Sequence, residues 1–158
     1  MITGLGVDIV EIDRMATALA RHPRMKERLF SEAERAYCDK RNRPEIHYAL
    51  RFAAKEAVLK ALGTGFAGMK FTDVEVVRDT GGRPTPRLSG RAAEVAEEIG
   101  VRELHLSLSY THTTAVASAV AITREPEPDE AREAARRRAG VFRDAKSLLD
   151  DLETPPAS

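Results

Sequence analysis

The sequence has too few cysteines, aromatic residues and apolar runs for several classes of protein. Cys38 is the single cysteine among 158 residues, which excludes an internal disulfide and a cysteine-clustered zinc site. Five phenylalanines, three tyrosines, no tryptophan and a formal net charge of zero offer neither a stacking surface nor a basic surface for nucleic acid. No apolar segment approaches the roughly 20 residues that span a bilayer.

The amino-terminal stretch MITGLGVDIV lacks the basic start and the long apolar core of a secretory signal peptide, so we expect a cytoplasmic protein. The length fits one domain with an appendage. From residue 124 the composition becomes charged and alanine-rich, with prolines at both ends. We expect a domain over residues 1–123 and a C-terminal extension over residues 124–158, either helical across 131–152 or partly disordered.

The hydrophobic periodicity mixes helices with antiparallel strands and shows no βαβ alternation, which predicts an α+β fold with a small antiparallel sheet packed against helices. Predicted strands cover residues 4–10, 104–109 and 116–122, and a hairpin around the turn at 79–82 has a proline-containing return strand that belongs at an edge. Predicted helices cover residues 12–28 with a break at Pro23, about 31–41, about 46–62 and 91–99.

Three charged side chains stand in otherwise apolar surroundings. Glu56 and Lys60 are one helical turn apart among alanines and leucines, which favours a cleft or boundary over an exposed ion pair. Asp8 lies in an apolar predicted strand, on the face that Gly4 and Gly6 leave clear. Each of these carboxylates therefore needs a partner, such as a cation.

Two carboxylates without a histidine or cysteine cluster suit Mg²⁺, which binds one or two carboxylates together with substrate phosphates and waters. The pattern thus indicates a phosphate-containing substrate, whose oxygens Lys60 can contact. Gly63 and Gly65 follow the helix and allow a ligand to approach the backbone closely. The glycine turn by itself is a weak signal.

The segments GLGVDIVEIDR and RFAAKEAVLKALGTG, together with GGRP and LSLSYTH, resemble the small single-domain, trimeric holo-[acyl-carrier-protein] synthases of the 4′-phosphopantetheinyl transferase superfamily. The resemblance covers about residues 1–122. It implies transfer of phosphopantetheine from coenzyme A to a serine of apo-acyl carrier protein. Asp8 and Glu56 match the family's Mg²⁺ ligands, and Lys60 matches a lysine that contacts the coenzyme's phosphates. The serine's proton acceptor is either Glu56 or a water held by the ion.

The resemblance also implies residues that bind the nucleotide. Arg51 matches a position near the nucleotide's phosphates, and Arg83 with Pro84 matches a turn beside it; the alternatives are a surface salt bridge for Arg51 and a solvated side chain for Arg83. Tyr110 stands where the family commonly has a histidine. Either His112 or His105 takes over that contact, or the hydroxyl of Tyr110 replaces it.

The segment from Arg14 to Arg28 contains five basic residues and one glutamate. A solvated helix face is the general explanation of such a segment. Within the family, Arg14, Arg21 and Arg24 match arginines that bind the acidic recognition helix of the carrier protein, with Met15 and Met25 available for apolar contact. The resemblance further implies a homotrimer with active sites between subunits.

Two other functions use the same residues. A magnesium-dependent phosphohydrolase would direct a water, rather than a protein hydroxyl, at the phosphorus atom. A non-catalytic carrier-binding module would keep the basic helix and lose the chemistry. An increase in the mass of the carrier protein in the presence of coenzyme A and Mg²⁺ separates the transferase from both.

Overall fold

The computed structural model describes residues 1–65 and 68–123, together with residues 136–137, 139–140 and 143. The chain divides into two units, Met1–Arg124 and Glu125–Ser158. The few described residues of the second unit are helical. Most of the helix predicted over 131–152 lies outside the described residues, and the role and boundary of the extension stay predictions.

The first unit contains five helices and five strands within its described residues. The helices are α1 (Ile12–Arg21), α2 (Met25–Leu29), α3 (Glu32–Asp39), α4 (Pro44–Ala61) and α5 (Gly90–Glu98), with a short 3-10 turn at Phe71–Asp73. The strands are β1 (Ile2–Glu11), β2 (Val74–Arg78), β3 (Pro84–Leu88), β4 (Val101–Tyr110) and β5 (Thr114–Thr123). The predicted α+β class is confirmed.

Local sequence signals begin and end several of these helices. Ser31 accepts a hydrogen bond from the backbone of Glu34, whose side chain accepts one from the backbone of Ser31, so a capping box opens α3. Pro44 occupies the first turn of α4, where its missing N–H costs nothing. After α4, Gly63 adopts a φ of 74°, the left-handed conformation that commonly ends a helix.

A three-stranded antiparallel sheet in the order β1-β5-β4 packs one face against α4. Small side chains allow the close approach, since alanines line both surfaces at no measurable exposure: Ala53, Ala54 and Ala57 on α4, and Ala115, Ala117, Ala119 and Ala121 on β5. The predicted hairpin of β2 and β3 forms a separate two-stranded sheet, with its prolines on β3 as expected of an edge strand.

The opposite face of the three-stranded sheet is open. Leu5, Val7 and Ile9 of β1 are 65%, 47% and 64% exposed. They pair across the sheet with partly buried residues of β5, and Leu5 faces Val120 while Ile9 faces Val116. An apolar sheet face of this kind is unusual on a monomer and is typical of an interaction surface.

None of the helices in the described part of the chain combines the length and apolarity needed to cross a bilayer.

Candidate active site

The strand β1 lies directly against α4 because two glycines face the helix. A Cβ atom added at Gly4 would lie 1.8 Å from the carbonyl oxygen of Ala61, and one at Gly6 would lie 1.9 Å from that of Ala57. No side chain fits at either position. The glycines therefore bring the next residue on this face, Asp8, to the surface of α4 that carries Glu56 and Lys60.

Lys60 joins the strand to the helix at this point. Its Nζ donates hydrogen bonds to Asp8 Oδ1 at 2.9 Å and to the carbonyl oxygen of Val7 at 3.0 Å. The Asp8 side chain is 18% exposed and the Lys60 side chain 50% exposed. Glu56 is partly buried on the same side of α4. The site thus lies at a boundary between core and solvent, open to a ligand.

The three charges influence one another's protonation. Burial raises the pKa of Glu56 above its ordinary value, and the negative charge of Asp8 raises it further while Lys60 opposes the shift. The hydrogen bond to Asp8 raises the pKa of Lys60, with contributions from the charges of Asp8 and Glu56. The site therefore holds two neighbouring carboxylates that repel each other and a lysine that stays charged.

The glycine turn after α4 is exposed and lacks side-chain obstruction. Gly63 and Gly65 have φ values of 74° and 56°, and a Cβ at either position would meet no atom within 4 Å. These conformations favour glycine. The turn provides accessible backbone on the carboxyl-terminal side of Lys60.

Arg51 lies at another face of α4 and is 5% exposed, so the alternative of a surface salt bridge is wrong. Its guanidinium carbon lies 4.0 Å from the centre of the Tyr37 ring, and its buried Nε has no hydrogen-bond partner. Arg51 and Pro84 line one cavity of about 670 Å³, which Tyr110 also lines. The structure therefore brings Arg51 and Pro84 together.

The remaining nucleotide-binding candidates lie outside that cavity. Arg83 is 83% exposed at its side chain and donates from Nε to Asp79 Oδ2 at 3.0 Å, beside a second cavity that shares Pro84. His112 is exposed in the turn between β4 and β5. His105 is exposed on β4, where its Nε2 hydrogen-bonds with Glu103 Oε2 at 2.9 Å. β4 contains one tyrosine and one histidine, and of these two side chains Tyr110 lines the Arg51 cavity.

The basic segment lies on α1, α2 and the turn between them. Arg14, Arg21 and Arg24 are all exposed. Arg21 and Arg24 line a cavity of about 880 Å³ whose apolar wall includes Met25 and Phe71. Met25 is thus available for contact, but the prediction for Met15 is wrong, because Met15 is 4% exposed and packs in the core.

Sequence reasoning missed the charges that α4 buries most deeply. Lys55 Nζ lies 2.8 Å from Glu34 Oε2, and both side chains have no exposed surface. The same ammonium group donates to the carbonyl oxygens of Phe71 and Val74, while Glu34 Oε1 accepts from the backbone N–H of Val76 at 2.9 Å. From the sequence, Glu34 is recognisable only as part of the cap at the start of α3. No local pattern indicates that it forms an ion pair with Lys55 of α4.

The Arg51 cavity also includes residues that belong to no sequence motif. Tyr37 and Arg78 line the Arg51 cavity although they come from α3 and β2. Arg78 Nη2 donates to Tyr37 Oη at 2.7 Å across 41 residues. Such a contact depends on tertiary packing, so neither spacing nor periodicity in the sequence indicates it.

Comparisons with known proteins identify the family of this chain. The family model described as 4′-phosphopantetheinyl transferase superfamily matches residues 4–117. The holo-[acyl-carrier-protein] synthase of Moorella thermoacetica is 50% identical over 105 residues, which is 66% of this chain and 82% of that protein. The synthase of Alkaliphilus metalliredigens is 47% identical over 70% of this chain and 90% of its own.

Solved structures give the same result. The holo-[acyl-carrier-protein] synthase of Neisseria meningitidis superimposes with a TM-score of 0.71 at 32% identity, covering 78% of this chain and 100% of that one. The synthase of Bacillus anthracis, solved in complex with CoA (3′,5′-ADP), gives a TM-score of 0.64 at 35% identity, covering 78% and 99%. With a matching family model, matching curated relatives and a matching fold, this chain belongs to the 4′-phosphopantetheinyl transferase superfamily, in the group of the holo-[acyl-carrier-protein] synthases.

Proposed function

We propose that Asp8, Glu56 and Lys60 form the reaction centre of this phosphopantetheinyl transferase, which transfers the 4′-phosphopantetheine group of coenzyme A to a serine of apo-acyl carrier protein and releases adenosine 3′,5′-bisphosphate. The observation that supports the assignment most directly is the 2.9 Å bond between Lys60 Nζ and Asp8 Oδ1, which joins residues 52 positions apart. Because the charge of Asp8 also raises the pKa of Glu56, the three side chains act as one electrostatic unit.

The donor atoms of Asp8 and Glu56 fit a Mg²⁺ ion. Carboxylate oxygens are the ligands that this hard cation prefers, and the remaining ligands would be substrate phosphates and waters. The repulsion that helps to raise the pKa of Glu56 is the kind that a divalent cation relieves. When bound, Mg²⁺ supplies positive charge to the pyrophosphate of coenzyme A. We therefore propose Asp8 and Glu56 as its ligands.

Lys60 and Glu56 would act on the substrates directly. Lys60 carries a positive charge on a half-exposed side chain, so it can donate to a phosphate oxygen and stabilise the charge that develops on the leaving oxygen. The proton acceptor that we propose for the carrier serine is either the carboxylate of Glu56, which lies partly buried on the same side of α4, or a water held by the ion.

The cavity that Arg51 and Pro84 line is the proposed binding site for the nucleotide of coenzyme A. Its volume of about 670 Å³ is within the usual range for small-ligand sites. The buried Nε of Arg51, which has no hydrogen-bond partner, supports an anionic ligand. Roles in nucleotide binding also remain predictions for Arg83, His112, Gly63 and Gly65.

The exposed arginines Arg14, Arg21 and Arg24 are the proposed contact surface for acyl carrier protein. A basic surface of this kind attracts an acidic partner and orients it during encounter. The apolar wall next to it, which includes Met25 and Phe71, would accept apolar side chains of the same partner.

The open face of the three-stranded sheet is the proposed contact between subunits of a homotrimer. Leu5 and Ile9 are about two-thirds exposed there, and burial of such side chains stabilises an assembly by the hydrophobic effect. Asp8 lies between Val7 and Ile9 on the same strand, so an interface at the open face lies close to the proposed reaction centre. A cytoplasmic location also stays part of the proposal.

Intact-mass spectrometry of apo-acyl carrier protein, incubated with this chain, coenzyme A and Mg²⁺, tests the reaction centre. We expect the carrier mass to rise by one phosphopantetheine group, and we expect chelation, Asp8→Ala and Glu56→Ala each to abolish the rise without loss of helical circular dichroism. Glu97→Ala, at an exposed glutamate of α5, is the matched control and should transfer normally.

Full transfer by either carboxylate variant would refute the assignment. Consumption of coenzyme A without a change in carrier mass would indicate the phosphohydrolase instead. Carrier binding without consumption of coenzyme A would indicate the non-catalytic module.

A further inference from the structure

The helix α2 is held in place by very little burial. It has five residues, Met25–Leu29, and none of them is buried. Met25 and Leu29 pack against the core with part of their surface only. A short helix with so few apolar contacts is easily displaced. Yet α2 directly follows Arg24, which belongs to the proposed carrier surface, so its position matters for that surface.

One polar contact joins α2 to the neighbouring helix α3. Lys26 Nζ donates to Asp39 Oδ1 at 2.9 Å. In the described ranges 1–65 and 68–123, no other side chain between Arg14 and Leu29 forms a hydrogen bond or an ion pair. The bond from Lys26 is therefore the polar side-chain contact that ties the basic segment to the core helices.

Tyr48 of α4 contacts both partners of this ion pair. Its Oη donates to the same oxygen of Asp39 at 2.9 Å, and the ammonium group of Lys26 lies 4.8 Å from the centre of its ring. Tyr48 has no exposed surface and packs edge-on against Phe30, with ring centres 4.9 Å apart. The ion pair and the cation–π contact therefore both rest on a residue fixed in the core. We call Lys26, Asp39 and Tyr48 the Lys26 network.

The hydrogen bonds of the network favour its charged form. The bond from Lys26 lowers the pKa of Asp39, burial opposes the shift, and the bond from Tyr48 lowers the pKa further. Burial and the bond to Asp39 raise the pKa of Tyr48, so the phenol keeps the proton that it donates. The side chains of Lys26 and Asp39 are 37% and 51% exposed. Because an ion pair at this exposure contributes little to global stability, its effect should be local to α2.

The network determines which side of α2 faces outward. Arg24 and Arg28 each lie two positions from Lys26, which places them about 160° away from it around the helix axis. While Lys26 is bonded to Asp39, both arginines lie on the opposite side of α2, and both are exposed. They line the cavity of about 880 Å³ whose apolar wall includes Met25. Without the network, α2 would be free to turn about its axis and carry both arginines out of place.

We propose that Asp39 and Tyr48 are positioning residues, which hold α2 through Lys26 and so keep the arginines of the carrier surface in the orientation that binds acyl carrier protein. The inference rests on the proposed carrier surface. A surface that is ordered before binding has less conformational freedom to lose on binding, so it binds more tightly. Neither Asp39 nor Tyr48 lines the cavity beside that surface, which is consistent with an indirect role.

The sign of the effect separates positioning from simple electrostatics. Asp39 places a negative charge next to a basic segment. Its removal would, by charge alone, strengthen the attraction for an acidic partner. Loss of positioning has the opposite result, a weaker interaction with the carrier.

Steady-state transfer kinetics of the full chain, with acyl carrier protein and coenzyme A varied in turn, test the proposal. We expect Asp39→Ala to raise the KM for the carrier about threefold to tenfold and to leave kcat and the KM for coenzyme A unchanged. Asp39→Asn can still accept from Tyr48, and Tyr48→Phe keeps the ring, so each should have a smaller effect. Glu32→Ala, the matched control, removes the same charge from an exposed position of α3 and should not raise the KM.

Hydrogen–deuterium exchange measures the ordering of α2 directly. The backbone N–H groups of Arg28 and Phe30 donate to the carbonyl oxygens of Arg24 and Lys26 at 3.1 and 3.0 Å. Both should exchange faster in Asp39→Ala than in the wild type, while the amides of α5 should not change. The thermal midpoint should stay close to that of the wild type, because the ion pair is exposed.

A double variant tests whether Lys26 and Asp39 act through one bond. Lys26→Met and Asp39→Asn each break the ion pair. Their combination should therefore raise the KM for the carrier by less than the product of the two single effects. Independent effects that multiply fully would contradict the network.

An unchanged or lower KM for the carrier in Asp39→Ala would overturn the proposal. A rise in the KM of both substrates together with a lower thermal midpoint would also overturn it, since that result indicates a general structural role. Arg14→Ala, on α1 and outside the network, reports on the carrier surface alone and should raise the KM for the carrier. If it does so and Asp39→Ala does not, the surface stands and the role of the network is refuted. If Arg14→Ala leaves this KM unchanged, the carrier surface is wrong and the inference falls with it.

Discussion

The carboxyl group of Glu56 is the titratable side chain on which the proposed chemistry depends most. Its pKa is raised by burial and by the nearby charge of Asp8, and Lys60 opposes the shift. A raised pKa means that the group takes up a proton at a higher pH than an ordinary glutamate. Because a protonated carboxyl group does not bind Mg²⁺, the proposed site should lose affinity for the ion on acidification at a higher pH than a site built on an exposed glutamate would.

Asp8→Asn should lower the pKa of Glu56. The substitution removes one of the two causes that raise it and releases Lys60, whose charge favours the ionised carboxylate. Carboxyl carbon chemical shifts, followed by NMR across acidic pH in the metal-free protein, measure the change. Glu97, exposed on α5, serves as the internal reference. An unchanged or higher pKa for Glu56 in the variant would contradict the electrostatic coupling.

Individual residues differ in how far the sequence reveals them. Asp8, Glu56 and Lys60 were predicted to meet because a carboxylate in an apolar strand and a charged pair on an apolar helix stand out from their neighbours. Tyr37 and Arg78 do not stand out, since a tyrosine on a short helix and an arginine at a strand end are ordinary in solvent. Their contact arises from packing between elements 41 residues apart.

At the scale of elements, α4 carries most of the functional assignments and also the main core contacts. One side of it packs on β1 and presents Glu56 and Lys60, and another presents Arg51 to the nucleotide cavity. Between them, Lys55 connects the helix to Glu34 of α3 and to the backbone at Phe71 and Val74. The ion pair and its hydrogen bonds thus hold Phe71, which lines the cavity of about 880 Å³, and Val76, which lines the cavity of about 670 Å³.

Lys55→Met should lower the free energy of unfolding by about 3–5 kcal/mol, because it leaves the carboxylate of Glu34 buried without its cation. Chemical denaturation monitored by circular dichroism measures the loss. Combining Lys55→Met with Glu34→Gln should cost less than the sum of the single changes, since the double variant buries no unpaired charge.

Arg91→Met is the matched surface control for that experiment. Arg91 forms ion pairs with Glu94 and Glu98 on α5 at solvent-exposed positions, so its loss should lower the free energy of unfolding far less than loss of Lys55. If Lys55→Met were equally mild, the buried pair would have no special part in holding α3, α4 and β2 together.

The boundaries of the elements were predictable where a residue has a local stereochemical effect. Ser31 with Glu34 begins α3 and Gly63 follows the end of α4, and both act within one turn of the chain. The start of α4 was predicted at about residue 46, whereas the helix begins at Pro44, whose ring is tolerated in a first turn. The partner of Lys55 was not predictable, because an ion pair between two helices depends on their packing. The prediction for Met15 overlooked its helical spacing from Ile12 and Leu19, which places it on the apolar face of α1.

At the scale of the whole molecule, the three-stranded sheet has one face covered by α4 and one face that exposes Leu5, Val7 and Ile9. Antiparallel sheets that face solvent usually place polar residues there. The exposure of these apolar side chains supports the proposed contact between copies of the chain.

Leu5→Lys should shift the protein from trimer towards monomer, because a charge placed in an apolar interface loses its hydration. Sedimentation velocity measures the change, and transfer activity per chain should fall with it if the active sites lie between subunits. Ile99→Lys, at an apolar residue that is 40% exposed beside α5, should change neither. A wild type that sediments as a monomer at micromolar concentration would rule out the assembly.

The two-sided construction of β1 also limits how the chain tolerates insertions and deletions. Gly4 and Gly6 meet the carbonyl groups of α4 without any clearance, and Leu5 alternates with them on the other side. Adding or removing one residue between Gly4 and Asp8 would turn the following side chains over, so that a branched aliphatic side chain met the helix and the carboxylate left it. Engineered loops or fused peptides therefore do not belong within this strand.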